Sequence, residues 1–129
     1  MKKMFVFLAV AIFAITALAF AAEDVKQELR PSQKLMQARA TALKAMNQNL
    51  GTSNFKALAK DAKKLSAETK KTGDKQANPL AKEITLAIAL LAQETSAAAA
   101  KKDADTVKSK LGEIKGRCDE CHVKIRDKK

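Results

Sequence analysis

The 129-residue chain has no tryptophan, no tyrosine and a single histidine, His122. It has only two cysteines, two prolines and four glycines. A lone histidine argues against structural zinc sites and against catalytic centres with several imidazoles, because structural zinc needs four ligands. The scarcity of proline and glycine, in a chain rich in alanine, lysine and leucine, favours helix over most of its length.

The first 21 residues differ from the rest of the chain. Lys2 and Lys3 precede an uncharged apolar run over residues 4–20, and Ala19-Phe20-Ala21 supplies the small residues of a secretory cleavage site. We therefore predict a signal peptide over residues 1–21, one domain over residues 22–129 and a periplasmic location. The alternative is an uncleaved leader that associates the protein with the membrane, although about 17 apolar residues is the short limit for a span.

The predicted domain is basic and poor in large apolar side chains. Four of the five phenylalanines lie in the leader, which leaves Phe55 as the only aromatic residue beyond it, with Met36 and Met46 as the only methionines. Such a chain has little apolar area to bury, so we expect a cofactor to fill part of the core. All basic residues except Lys2 and Lys3 lie beyond the leader, where they outnumber the 14 acidic residues. This excess predicts acidic protein partners or anionic membrane surfaces, and nothing resembles a nucleic-acid module.

Four helices are predicted from capping residues and from apolar positions that recur at steps of three and four. The stretch Gly51-Thr52-Ser53-Asn54 offers N-caps for the second helix, and Asn78 before Pro79 and Asp103 are suitable N-caps for the third and fourth. Gly73 is expected to end the second helix. Because the connections are short, consecutive helices should be antiparallel neighbours, and the predicted fold is an all-α, up-down-up-down four-helix bundle.

Cys118-Asp119-Glu120-Cys121-His122 is the motif that carries chemistry. Two thiols and an adjacent imidazole on neighbouring helical turns suit covalent haem attachment, with thioethers at Cys118 and Cys121 and iron bound by His122. A thioredoxin-like redox pair would need a βαβ context, and a plain disulfide would leave His122 unexplained. The predicted cofactor is one haem c near the C-terminal end of the last helix.

The leader, the four-helix pattern and the haem motif near the C-terminus together resemble the cytochrome c prime superfamily, the class II c-type cytochromes. Arg126, four residues after the histidine, is similar to the family's ending. Residues 32–36, Ser-Gln-Lys-Leu-Met, resemble the low-spin branch, in which the equivalent methionine is the sixth iron ligand. The resemblance thus implies that Met36 binds iron. An antiparallel bundle also brings Met36 near His122, whereas Met46 lies about 15 Å further along the helix. The alternative is that Met36 only fills core space.

Three further residues are candidates for cofactor contact. Arg39, three residues after Met36, would share its helix face and could contact a haem propionate. Arg126 could pair with a propionate, or it could belong to a solvated basic tail. Gly116, unusual inside a helix, suggests close approach of the backbone to the haem plane.

Two functions remain open at this point. A haem iron held by both His122 and Met36 favours single-electron transfer, with redox proteins that have acidic docking surfaces as partners and a homodimer as a further option. An open sixth site would instead favour binding of nitric oxide or carbon monoxide. The chain is not expected to be an enzyme, since peroxidase chemistry needs distal acid–base groups and there is no second histidine.

Overall fold

The computed structural model describes residues 28–128, and all regular structure in that range is helical. The predicted leader over residues 1–21 lies outside the described residues. The four helices are α1 (Pro31–Gly51), α2 (Phe55–Asp74), α3 (Pro79–Ala100) and α4 (Ala104–Cys121), and a π-helical turn, His122–Arg126, continues α4. The predicted all-α class and the four-helix bundle are confirmed. No helix within residues 28–128 is long and apolar enough to cross a membrane.

The three predicted N-caps are confirmed. The side-chain oxygen of Asn54 accepts a hydrogen bond from the backbone N–H of Ala57 at 3.2 Å. Asn78 caps α3 in the same way at 3.0 Å, with Pro79 in the first turn, and Asp103 caps α4 at 3.0 Å. Each cap satisfies a backbone donor that the first helical turn leaves free.

Glycine does not supply the left-handed residues that end these helices. Ser53 and Lys102, at φ 55° and 58°, occupy that region before α2 and α4. The prediction that Gly73 ends α2 is wrong, because the helix continues to Asp74 and Gly73 is buried in its last turn. A Cβ at Gly73 would lie 2.8 Å from Cδ2 of Leu86 on α3. The glycine therefore allows α2 and α3 to approach closely.

One apolar core joins the four helices, and few of its members are large. The largest fully enclosed side chains are Met46, Leu58, Ile114, Val107, Thr69 and Thr95. Two hydroxyls tie α2 to α3: Ser66 donates to the carbonyl of Ala89 at 2.7 Å and Ser96 donates to the carbonyl of Ala59 at 2.9 Å. Helices α1 and α4 pack less closely than α2 and α3 do. This looser contact leaves room for a pocket beside the C-terminal end of α4.

Replacing Gly116 with alanine should stabilise the protein by about 0.5–1 kcal/mol. Gly116 is an exposed helical residue, and a Cβ there would meet nothing within 4 Å, so alanine restricts the unfolded chain without a clash. The matched change Gly73→Ala should destabilise by about 1 kcal/mol because of its overlap with Leu86. Denaturant midpoints measure both effects. A loss of stability in Gly116→Ala would instead support close approach of this backbone to the cofactor.

Candidate cofactor site

An apolar pocket opens between α1, α3 and α4. It is lined by Met36, Arg39, Ala40, Leu43, Thr85, Ile88, Cys118, Cys121 and His122. Five of the seven residues predicted from the sequence to contact a cofactor therefore line one pocket, and Arg126 and Gly116 are the two that do not. The five come from α1 and from the end of α4 with the turn that follows it. The cavity has a volume of about 110 Å³, below the roughly 300–1,000 Å³ of typical small-molecule sites. A macrocyclic ligand would extend through its open side to the surface.

Helix α4 supplies Cys118 and Cys121, and the π-helical turn that continues it supplies His122. Cys118 and Cys121 are half-buried, pack against the core cluster and are not joined in a disulfide. Burial raises the pKa of the Cys118 thiol, and the nearby positive charge of Arg39 opposes this increase. A thiol that stays protonated at neutral pH is a poor redox nucleophile, which disfavours the thioredoxin-like alternative.

A π-helical turn begins at His122, which the sequence analysis did not predict. The backbone N–H of Asp127 donates to the carbonyl of His122 at 2.9 Å, five residues back. Single π turns within α-helices often occur at functional sites. Ile125, within this turn, still packs against the core, so the wider turn keeps the C-terminal segment docked beside the pocket.

Helix α1 supplies the opposite wall. Met36 is 38% exposed and lies at the edge of the pocket, whereas Arg39 is 8% exposed and lies deeper. Their spacing of three residues puts both on one helix face. Met46 is 0% exposed and belongs to the core, not to the pocket lining. Of the two methionines within residues 28–128, only Met36 lines the pocket that contains His122.

Arg39 is a buried basic residue in the lining of this pocket. Its Nε and Nη2 atoms are buried and have no hydrogen-bond partner, and burial is the main cause that lowers the pKa of its guanidinium. No aspartate or glutamate lines the pocket. An apolar cavity with one unpaired cation suits a flat apolar ligand that carries anionic groups, and haem with its propionates has this character.

The structure does not bring Arg126 to the pocket. Its Nε and Nη2 atoms donate to the carboxylate of Asp127 at 2.7 and 3.0 Å, and its side chain is 65% exposed. A propionate contact for Arg126 therefore stays a prediction. Gly116 also lies away from the pocket, because two residues rotate it by about 200° around the helix from Cys118.

Helix α3 supplies a wall of the pocket that no motif in the sequence predicts. Thr85 and Ile88 are buried and line the cavity. The only signal for them was that α3 is apolar nearly all round, which does not identify the residues that face a pocket.

The described part of the chain has no separate cluster of metal-binding side chains. Within residues 28–128 no group of three or more histidine, cysteine, aspartate or glutamate side chains is arranged to hold a metal ion. His122 and Met36 could complete the coordination of an iron whose other ligands come from a macrocycle.

No protein-family model, no curated protein and no solved structure shows significant similarity to this chain. The assignment of the site therefore depends on its own residues and geometry.

Proposed function

We propose that the chain is a c-type cytochrome, akin to the low-spin branch of the cytochrome c prime superfamily, that carries single electrons. The observation that carries this proposal is that Met36 lines the same apolar pocket as Cys118, Cys121 and His122. A sulfur ligand, an imidazole ligand and the two attachment thiols thus share one cavity, although more than half of the chain separates Met36 from the others.

Each residue has a separate task in this proposal. Cys118 and Cys121 would hold the haem through thioethers, and His122 and Met36 would bind its iron. The haem would supply an iron that accepts and releases one electron. A methionine ligand opposite histidine raises the reduction potential. If both His122 and Met36 held the iron in its two oxidation states, little rearrangement would accompany the transfer.

The residues around the pocket support electron transfer to a partner rather than a reaction on an enclosed substrate. Leu43 and Ile88 give the cavity apolar walls, which would keep water away from a bound iron. Met36, at 38% exposure, lies where the pocket meets the surface. An exposed edge is what a protein needs to pass an electron to a partner without admitting a substrate.

The proposed topology is an up-down-up-down antiparallel bundle. Two hydrogen bonds between α2 and α3 support this topology. Ala59, early in α2, is bonded to Ser96, late in α3, whereas Ser66, later in α2, is bonded to Ala89, earlier in α3. The start of α1 and the end of α4 line one pocket, as this topology requires. The periplasmic location stays a proposal that depends on the leader pattern of residues 1–21.

The mature protein should retain haem through denaturing electrophoresis and acid–acetone extraction. Thioethers at Cys118 and Cys121 are covalent, so the haem stain should remain with the polypeptide, and mass spectrometry should show one haem per chain. The double variant Cys118→Ala, Cys121→Ala is the control, and any haem that it binds should be extracted completely. Haem that extracts freely from the unmodified protein would refute covalent attachment.

Gas binding is the second candidate function, and one observation favours it. Met36 lies at the partly exposed edge of the pocket rather than in the core, so the core does not fix its side chain in place. If Met36 does not bind iron, the sixth position faces an apolar cavity suited to nitric oxide or carbon monoxide. Substitution of Met36 separates the two functions.

A further inference from the structure

Arg39 is a buried cation for which the described residues provide no counter-ion. The residue is 8% exposed, and its Nε and Nη2 atoms have no hydrogen-bond partner. No carboxylate lines the pocket that it faces. An arginine keeps its proton in proteins, and the low dielectric constant of an apolar pocket strengthens the field of such a charge. Any group placed in this pocket would therefore experience a fixed positive potential.

The two cysteines of the motif locate this charge relative to a bound cofactor. The groups whose charges act on Arg39 are Cys118 and Cys121, and thioether formation would remove the ionisable S–H group of both. Thioethers form at the vinyl groups of haem, whereas the propionates leave the macrocycle at the opposite edge. Attachment at these cysteines would therefore put the guanidinium beside the macrocycle itself, between the apolar walls of Leu43 and Ile88.

We propose that Arg39 sets the reduction potential of this site, because its buried charge favours the ferrous state. The inference rests on the proposed function for the identity of the cofactor. When a reduced partner protein gives up one electron, the partner is oxidised, ferric iron becomes ferrous, and the positive charge on the iron falls by one. No bond forms or breaks in this step. Reduction thus relieves part of the repulsion between the iron and Arg39, and the potential rises.

Burial makes the expected effect large and insensitive to salt. At an effective dielectric constant of about 20, a unit charge near the iron should change the equilibrium constant for reduction by about tenfold, which is about 59 mV for one electron. Salt screens exposed charges beyond about 10 Å at 0.1 M and beyond about 3 Å at 1 M, but it screens buried charges much less. The contribution of an exposed lysine should therefore be smaller and should disappear at high salt.

Potentiometric titration of the haem-bound protein with one-electron mediators tests this role at about 0.1 M and about 1 M salt. Arg39→Met keeps an apolar stem without the charge and should lower the potential by about 59 mV, or tenfold, at both salt concentrations. Arg39→Lys keeps the charge and should restore at least half of this difference. It also keeps the proposal testable if Arg39→Met does not assemble.

Lys44→Met is the matched control for the loss of one positive charge. Lys44 is exposed, lies on the same helix and does not line the pocket. Its replacement should change the potential by a small fraction of the Arg39→Met effect at low salt and should leave it unchanged at high salt. The far-red band of sulfur bound to iron should be the same in all these variants, which separates an effect of charge from a loss of Met36.

The outcomes separate this proposal from the proposed function. Equal potentials of Arg39→Met and the unmodified protein, or a difference that disappears at high salt or accompanies loss of the far-red band, would overturn the role of Arg39 even if the haem is covalently attached. If the unmodified protein is high-spin but Arg39→Met still lowers its potential at both salt concentrations, the role of Arg39 stands and ligation by Met36 fails. A protein that carries no haem would overturn both proposals.

Discussion

The double variant Cys118→Ala, Cys121→Ala should lose cooperative thermal unfolding while it keeps most of its helix. The reason is the size of the core. Two of its six largest fully enclosed side chains are threonines, Thr69 and Thr95, and α1 packs only loosely against α4. Without attached haem the pocket between these helices has nothing large to fill it, so specific packing should be lost before helix is.

This prediction needs measurements that do not depend on aromatic side chains, since the chain has no tryptophan or tyrosine. Far-ultraviolet circular dichroism reports helix content, and calorimetry reports whether unfolding absorbs heat in one sharp transition. Val123→Ala is the matched control, because Val123 is 67% exposed and lies beside the motif without lining the pocket. It should unfold like the parent. A sharp transition of the double variant near the parent's midpoint would show that the core is complete without haem.

Local signals in the sequence predicted local structure well. Asn54, Asn78 and Asp103 cap helices because a side chain three residues from its partner needs no tertiary information. The four helices followed from the same kind of pattern. Gly73 was misinterpreted because its function is tertiary: its missing Cβ makes room for Leu86 on another helix. Sequence spacing along α2 contains no information about that contact.

In the pocket, too, features set by spacing along one helix could be predicted, whereas features set by packing between helices could not. Helical spacing predicted that Met36 and Arg39 share a face, and the structure puts both in the pocket lining. The depth of Arg39 and its lack of a partner could not be predicted, because they depend on how α3 and α4 close around α1. The π turn at His122 has no local sequence signature. The pairing of Arg126 with Asp127 was also unforeseen, although the two residues are adjacent in sequence.

If the proposed function is right, Met36→Ala should convert a low-spin protein into a ready binder of carbon monoxide. The oxidised parent should show the weak far-red charge-transfer band of sulfur bound to iron, and the variant should lack it. Loss of the thioether should also lower the reduction potential, since methionine favours the ferrous state. With the sixth position open, ferrous iron would face the apolar cavity between Leu43 and Ile88. Absorption spectra and a potentiometric titration measure all three changes.

Met46→Ala is the control that separates ligation from packing. Met46 is the other methionine of α1, is 0% exposed and does not line the pocket, so its loss should cost about 2–5 kcal/mol of stability. Its far-red band and its potential should stay like those of the parent. Met36→Ala should instead change the far-red band and the potential. Because Met36 is partly exposed, the stability of this variant should change little beyond the loss of the iron bond. If the unmodified protein is already high-spin and binds carbon monoxide readily, Met36 is packing only, and gas binding replaces electron transfer as the function that this pocket supports.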